Sequence, residues 1–102
     1  MTIASNNFSF KIIWLYDNLG IAIDKILKNG SSTSITSFYF WPKQDSWKLL
    51  EYELSAKPWM LDEDRLFILN RVTSLINFWK KPNSNIVELL KSFPDVILCG
   101  SD

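Results

Sequence analysis

Tryptophan and lysine alternate in the middle of this chain, a combination that can bind nucleic acid or a protein partner. The stretch YFWPKQDSW covers residues 39–47, and KPW follows at 57–59. An exposed Trp can stack on a base or fill a partner's pocket, and a neighbouring Lys can bind a phosphate. A Trp beside a proline can equally cap the open end of a core, and lysines commonly only solvate a surface. The candidate binding residues are Trp41, Lys43, Lys48, Lys57, Trp59, Lys80 and Lys81.

Residues suited to catalysis are few. The chain has no histidine, which excludes His-based triads and His metal ligands, and its single cysteine, Cys99, excludes an internal disulfide. We expect Cys99 to be a small residue of a C-terminal strand. Asp24, Asp45 or Asp62 could serve a carboxylate-based enzyme only if two of them converged in a pocket. The acidic run LDED at 61–64 is typical of helix capping rather than of a metal site. We therefore expect no enzyme, no cofactor and no small-molecule substrate.

Composition points to one neutral, globular domain. The 102 residues are 47% hydrophobic, which argues against disorder, and their formal net charge is zero. No apolar run is long enough to span a membrane, and the first residues do not form a secretory signal. Nine of the eleven basic residues are Lys, and Asn and Ile are frequent, as in proteins from AT-rich genomes such as those of organelles.

The first half of the chain has the pattern of strands. FSFKIIWL at 8–15 reads as a strand with apolar residues on both of its faces, which predicts a central strand. Turn-forming residues at 16–20 precede a second strand at 21–27 and favour a hairpin over a helix. Residues 28–37 are polar and predict a flexible loop, and FYF with Trp41 predicts a third strand.

The second half has the pattern of helices. We expect a helix from Pro42 to about Ala56, because proline is accepted in a first helical turn. A second helix is predicted from Asp62 to Lys81, with acidic residues at its start and basic residues at its end. Its predicted buried stripe is Leu66, Leu69, Val72, Ile76 and Trp79, flanked by Leu75 and Phe78. A short helix at 85–93 follows, and the pattern also allows a strand at 95–99.

This order predicts an α+β fold, with a small antiparallel sheet of about three strands packed against two main helices. We expect residues 1–82 to form a single domain and residues 83–102 to be an extension packed on it. Trp14, Trp47 and Trp79 occupy in-pattern apolar positions and are expected in the core.

Five short motifs occur in order along the chain: Trp14–Leu15, Gly20–Asp24, Tyr39–Trp47, Lys57–Trp59 and Asn70–Trp79. They resemble the plastid-specific small-subunit ribosomal protein 3 family, whose members occur in plastids and cyanobacteria. The match covers roughly residues 8–81, most of the chain, and the order and spacing of the motifs are more specific than any one of them. Lys43 stands where many relatives carry Arg; the lysine keeps the positive charge but lacks the bidentate fork of arginine.

The resemblance implies a structural component of the plastid small ribosomal subunit that binds ribosomal RNA and neighbouring ribosomal proteins, with no membrane partner. It implies the plastid stroma and a plastid gene, or the cytoplasm in a cyanobacterium. Trp41 and Lys43 would then be the more exposed part of the strand-to-helix junction. The neutral charge favours peripheral docking with a local basic patch. A soluble adaptor that binds a protein partner through Trp41 and Trp59 is the alternative.

Overall fold

A five-stranded sheet with three helices forms the molecule in a computed structural model that describes residues 7–43 and 45–102. The strands are β1 (Phe8–Trp14), β2 (Leu19–Ile26), β3 (Ser32–Ser34), β4 (Tyr39–Trp41) and β5 (Val96–Ser101). The helices are α1 (Ser46–Ser55), α2 (Asp62–Lys80) and α3 (Ile86–Ser92). The α+β class is confirmed.

The hairpin of β1 and β2 is the centre of the sheet, as its sequence predicts. The two strands are antiparallel, with Phe10 opposite Ile23 and Ile12 opposite Ile21. These four side chains are fully buried on the face that also meets the helices. Strand β1 is central because β2 lies on one side of it and β5 on the other.

The expectation of a purely antiparallel, three-stranded sheet is wrong in two respects. Strand β5 pairs with β1 in parallel, because α2 and α3 carry the chain back across the sheet before β5 begins. Strand β3 falls inside the predicted loop, since its three residues are polar and exposed and show no apolar alternation. Strands β3 and β4 both pair with β2, so the sheet is mixed.

Helix α1 begins four residues later than its sequence predicts. Pro42 directly follows β4, and after it the Ser46 N–H donates to the Lys43 carbonyl at 3.3 Å. The Ser46 hydroxyl donates to the Phe40 carbonyl at 2.6 Å and so ties the helix start to β4. Pro42 therefore lies outside the helix. Leu50 and Leu54 are the buried apolar residues of α1, with Trp47 packed beside them.

The buried face of α2 is rotated from the predicted one. Ile68, Val72 and Leu75 are its buried residues, whereas Leu66 is 61% exposed. Leu69, Ile76, Phe78 and Trp79 are only partly buried against the core. Apolar side chains occupy so much of this helix that their spacing alone leaves the centre of the stripe undetermined.

The other face of the sheet carries no helix among the described residues. Aromatic rings cover part of it, and Gly20 makes this possible, because a Cβ there would lie 2.6 Å from the Phe40 ring. On the same face the Lys11 ammonium lies 3.3 Å from Asp24 Oδ1, a separation that lacks hydrogen-bond geometry. Lys11 and Asp24 therefore balance each other's charge on this face.

Candidate functional site

Trp41 is part of the core, which corrects the expectation that it forms an exposed junction. Its side chain is only 7% exposed and packs edge-to-face on Trp47, with the ring centroids 6.5 Å apart. Pairing of Trp41 with Leu19 places it on the core face of β2. Trp41 therefore belongs to the core, as the alternative interpretation of a Trp beside a proline predicts. Its side chain is not available to a base or a partner. Trp14, Trp47 and Trp79 pack against the core as partly buried residues.

Trp59, by contrast, lies on the surface and is 55% exposed. The Lys25 ammonium lies 5.7 Å from the centre of the Trp59 ring and 5.3 Å from that of Phe8. Lys25 also lines a surface groove of about 420 Å³ with Lys28 and three neighbouring residues. We call Lys25, Lys28 and Trp59 the Trp59 cluster. It combines a stacking surface with two cations.

Lys57 is close to this cluster in sequence but is engaged within the fold. Its ammonium lies 4.0 Å from Glu53 Oε2, and the other Glu53 oxygen accepts the hydroxyl hydrogen of Tyr39. Desolvation, followed by the hydrogen bond and the charge of Glu53, raises the pKa of Tyr39 to about 12. Glu53 therefore partly neutralises Lys57, which leaves this lysine a weaker ligand for phosphate than an unpaired one.

Four of the candidate lysines lie at the opposite end of the molecule. Lys43 follows β4, Lys48 lies in the first turn of α1, and Lys80 and Lys81 end α2. All four are exposed, and none has a carboxylate partner among the described residues. We call them the lysine end.

A second groove lies at the lysine end. It has a volume of about 390 Å³ and is lined by Trp14, Leu15, Tyr16, Trp79, Lys80 and Ser84. The Trp79 indole N–H donates to the Leu15 carbonyl at 3.1 Å, which fixes the end of α2 beside the end of β1. Tyr16 is almost fully exposed at the rim of this groove. Asp102 accepts the Tyr16 backbone N–H, so the groove also has an acidic edge.

The structure thus divides the candidate residues into two groups. Trp59 and Lys57 lie before the first residue of α2, and Lys80 and Lys81 lie at its end. A helix of 19 residues is about 28 Å long. One small ligand therefore cannot contact both groups.

Other residues were not anticipated from the sequence. Lys25 and Lys28 belong to the Trp59 cluster. The sequence pattern could have identified Lys25 as a candidate, because this lysine interrupts the apolar row of Ile21 and Ile23 on β2. Both arginines serve the fold. Arg71 makes a bidentate pair with Asp95, and Arg65 donates to two backbone carbonyls. Neither is left for the fork-shaped recognition of a phosphate.

The carboxylates considered for an enzyme are held in separate places. Asp24 lies beside Lys11 on β2, Asp45 precedes α1, and Asp62 is paired with Arg65 at the start of α2. Within residues 7–43 and 45–102, no group of three potential metal ligands occurs. No described helix is long and apolar enough to cross a membrane.

Comparison with known proteins decides between the remaining interpretations. The model of the family described as plastid and cyanobacterial ribosomal protein (PSRP-3 / Ycf65) matches residues 35–82. Small ribosomal subunit protein cS23 of Gracilaria tenuistipitata var. liui is 38% identical over 99 residues, which cover 95% of this chain and 99% of the relative. The chain belongs to this family. All seven candidate binding residues lie within the segment that the family model matches.

Other members of the family differ in length. The probable cS23 of Synechococcus sp. (strain JA-2-3B'a(2-13)) is 38% identical over 96 residues, with 92% of this chain and 96% of the relative covered. The cS23y protein of Arabidopsis thaliana is 32% identical over 76 residues, which are 74% of this chain but 42% of that protein. The family is plastid and cyanobacterial, and it is a structural family rather than an enzymatic one.

Proposed function

We propose that this chain is a structural constituent of the small ribosomal subunit, where it contacts ribosomal RNA and neighbouring ribosomal proteins and supports translation. The observation that carries the proposal is its similarity, over nearly its whole length, to proteins named for that subunit. The relatives compared are named for the ribosome, and none of these names supports the adaptor alternative.

The lysine end is the surface that we assign to ribosomal RNA. Phosphate contacts dominate the affinity of proteins for nucleic acids, and an unpaired lysine is a stronger phosphate ligand than one already beside a carboxylate. Lys43, Lys48, Lys80 and Lys81 meet this condition and share one end of the fold. Trp59 and Lys57, about the length of α2 away, would form a separate contact with RNA or protein. Trp41 is withdrawn from the interface because it is buried.

We also propose that residues 1–82 form one domain and that residues 83–102 are an extension packed on it. In support of this, Leu89, Phe93 and Val96 of the extension belong to the same hydrophobic core as β1 and β2. The lysine-rich, arginine-poor composition favours a plastid gene and the plastid stroma. In a cyanobacterium the same protein would be cytoplasmic.

Binding to small subunits depleted of this protein tests the proposal. We expect the wild-type chain to sediment with the subunits, and the variant with Lys80→Glu and Lys81→Glu to stay largely at the top of the gradient. A matched control, Lys91→Glu with Leu66→Glu and Val87→Glu, has the same net charge but changes exposed positions outside the lysine end and the Trp59 cluster, and it should bind as the wild type does. Circular dichroism would confirm that all three fold.

Two results would contradict the proposal at different levels. Failure of the wild-type chain to bind the subunit would remove the ribosomal role itself. If the Lys80/Lys81 variant and its control bound equally, also after a high-salt wash, the ribosomal role would stand. RNA would then contact a surface other than the lysine end.

A further inference from the structure

The two edges of the sheet are built differently. On one side, β2 is covered by β3 and β4, each of only three residues. On the other side, the last strand is β5, with six residues, and no described residue pairs with its outer edge. Short edge strands resist pairing with other chains, whereas a longer one presents a row of free backbone groups.

The backbone of β5 has polar groups that point away from the sheet. The Phe10 N–H donates to the Asp95 carbonyl at 3.0 Å, which fixes the phase of the pairing with β1. Because backbone groups alternate in direction along a strand, the N–H and carbonyl of Leu98 point outward. The outer edge thus offers a donor and an acceptor to an added strand.

Side chains do not protect this edge. The sequence VILCGS contains no charge and no proline, which are the usual means of blocking edge pairing. Ile97 is 51% exposed and Cys99 is also exposed. A register shift beside Ile12 and Ile13 is the one irregularity in the pairing of β1 with β5. The edge is therefore both apolar and available.

Charge decides what kind of partner fits. Strand β5 carries no lysine or arginine, and Asp95 and Asp102 flank its ends. The cations beside this strand are Lys11, which lies opposite Ile97, and Arg71, and each already lies beside a carboxylate, Asp24 and Asp95 respectively. RNA is thus disfavoured, while an extended protein segment can satisfy the backbone groups and cover Ile97.

From these observations we infer that β5 is a docking strand, and that an extended segment of a neighbouring protein of the small subunit adds to its outer edge as a sixth strand. This inference rests on the proposed ribosomal role and names the second kind of partner that the role requires. The protein contact lies on β5, whereas the RNA contact lies at the lysine end.

Lysine substitutions on the edge test the inference. We expect Ile97→Lys with Cys99→Lys to weaken binding to depleted small subunits by about tenfold or more, because edge lysines oppose strand addition. The matched control is Leu66→Lys with Val87→Lys, which places the same charges on exposed apolar positions of α2 and α3. That control should bind within about twofold of the wild type, as surface substitutions away from an interface usually do.

Two further readouts use the wild-type sequence or a single replacement. Alkylation of Cys99 by N-ethylmaleimide should be slowed about tenfold or more in the assembled subunit relative to the free chain, since strand addition would cover the edge. A benzophenone amino acid at position 97 should cross-link to a ribosomal protein.

The inference would be overturned by unchanged binding of the edge variant, by unprotected Cys99 in the subunit, or by cross-links to ribosomal RNA or to a second copy of this chain. Each of these results can occur while the wild-type chain binds normally, so failure of the docking strand is distinguishable from failure of the ribosomal role.

Discussion

Among single residues, Tyr39 is the one whose protonation is tied most directly to the fold. Its hydroxyl donates to Glu53, and its pKa is raised to about 12 chiefly by desolvation and then by Glu53. The phenol ionises near 10 when unfolded, so the folded state favours the neutral form. The stabilising contribution is complete below pH 10 and is lost as the pH rises from 10 towards 12.

We therefore expect an ultraviolet titration to show one phenol that ionises well above the ordinary value. Tyr39→Phe should remove this late step, and Glu53→Gln should move it towards lower pH by removing the negative charge. In urea unfolding across the same pH range, the wild type should lose stability relative to Tyr39→Phe. A titration in which every phenol ionises near 10, with the chain still folded, would contradict the assignment.

Single residues were also the hardest to predict from the sequence. Trp41 and Trp59 both flank a proline, yet one is buried and the other exposed. The difference arises from pairing with β2: Trp41 lies opposite Leu19 in the sheet, whereas Trp59 lies in the link between α1 and α2. Local sequence carries no record of such long-range pairing, so it could not separate them.

At the scale of elements, Arg65 holds the end of α1 against the start of α2. It donates from Nε to the Leu54 carbonyl at 3.1 Å and from Nη2 to the Lys57 carbonyl at 2.8 Å. These carbonyls lie at and just beyond the C-terminal end of α1, and each also accepts one backbone N–H, from Lys57 and Met60 respectively. Lysine cannot reproduce the fork, so Arg65→Lys should lower the free energy of unfolding by about 2 kcal/mol in urea denaturation.

Asp62→Asn is the control for this prediction. Asp62 is also bonded to Arg65, at 2.5 Å, but its side chain is 96% exposed. Exposed pairs and helix-start charges contribute little, so this variant should lose less than about 1 kcal/mol. If the two variants were equally destabilised, the ion pair rather than the bonds to α1 would be what Arg65 contributes.

The elements themselves were largely predictable, and the exceptions have physical causes. The β1–β2 hairpin follows a clear apolar alternation, and the bounds of α2 follow its terminal charges, although its apolar spacing does not identify the buried face. The parallel pairing of β5 depends on how α2 and α3 cross the sheet, which apolar periodicity does not encode. For the same reason the β5 edge could not be recognised as a surface before the strand order was known.

At the scale of the whole molecule, zero net charge conceals an uneven distribution. Five basic residues are held in ion pairs, including both arginines. Four of the remaining six lie at the lysine end, two lie in the Trp59 cluster, and none lies on β5. The charges were readable from the sequence, but their separation by about the length of α2 was not.

This distribution predicts how salt affects binding to the small subunit. Each phosphate contact adds about 0.7 to 0.9 to the slope of log affinity against log salt, so four lysines give a slope of at most about 4. Replacing Lys80 and Lys81 with glutamine should reduce the slope by about 2. Ile97→Lys with Cys99→Lys should weaken binding but should not reduce the slope. Affinities measured across a salt series would check both. A wild-type slope near 8, or one that Lys80 and Lys81 leave unchanged, would mean that RNA contacts extend well beyond the lysine end.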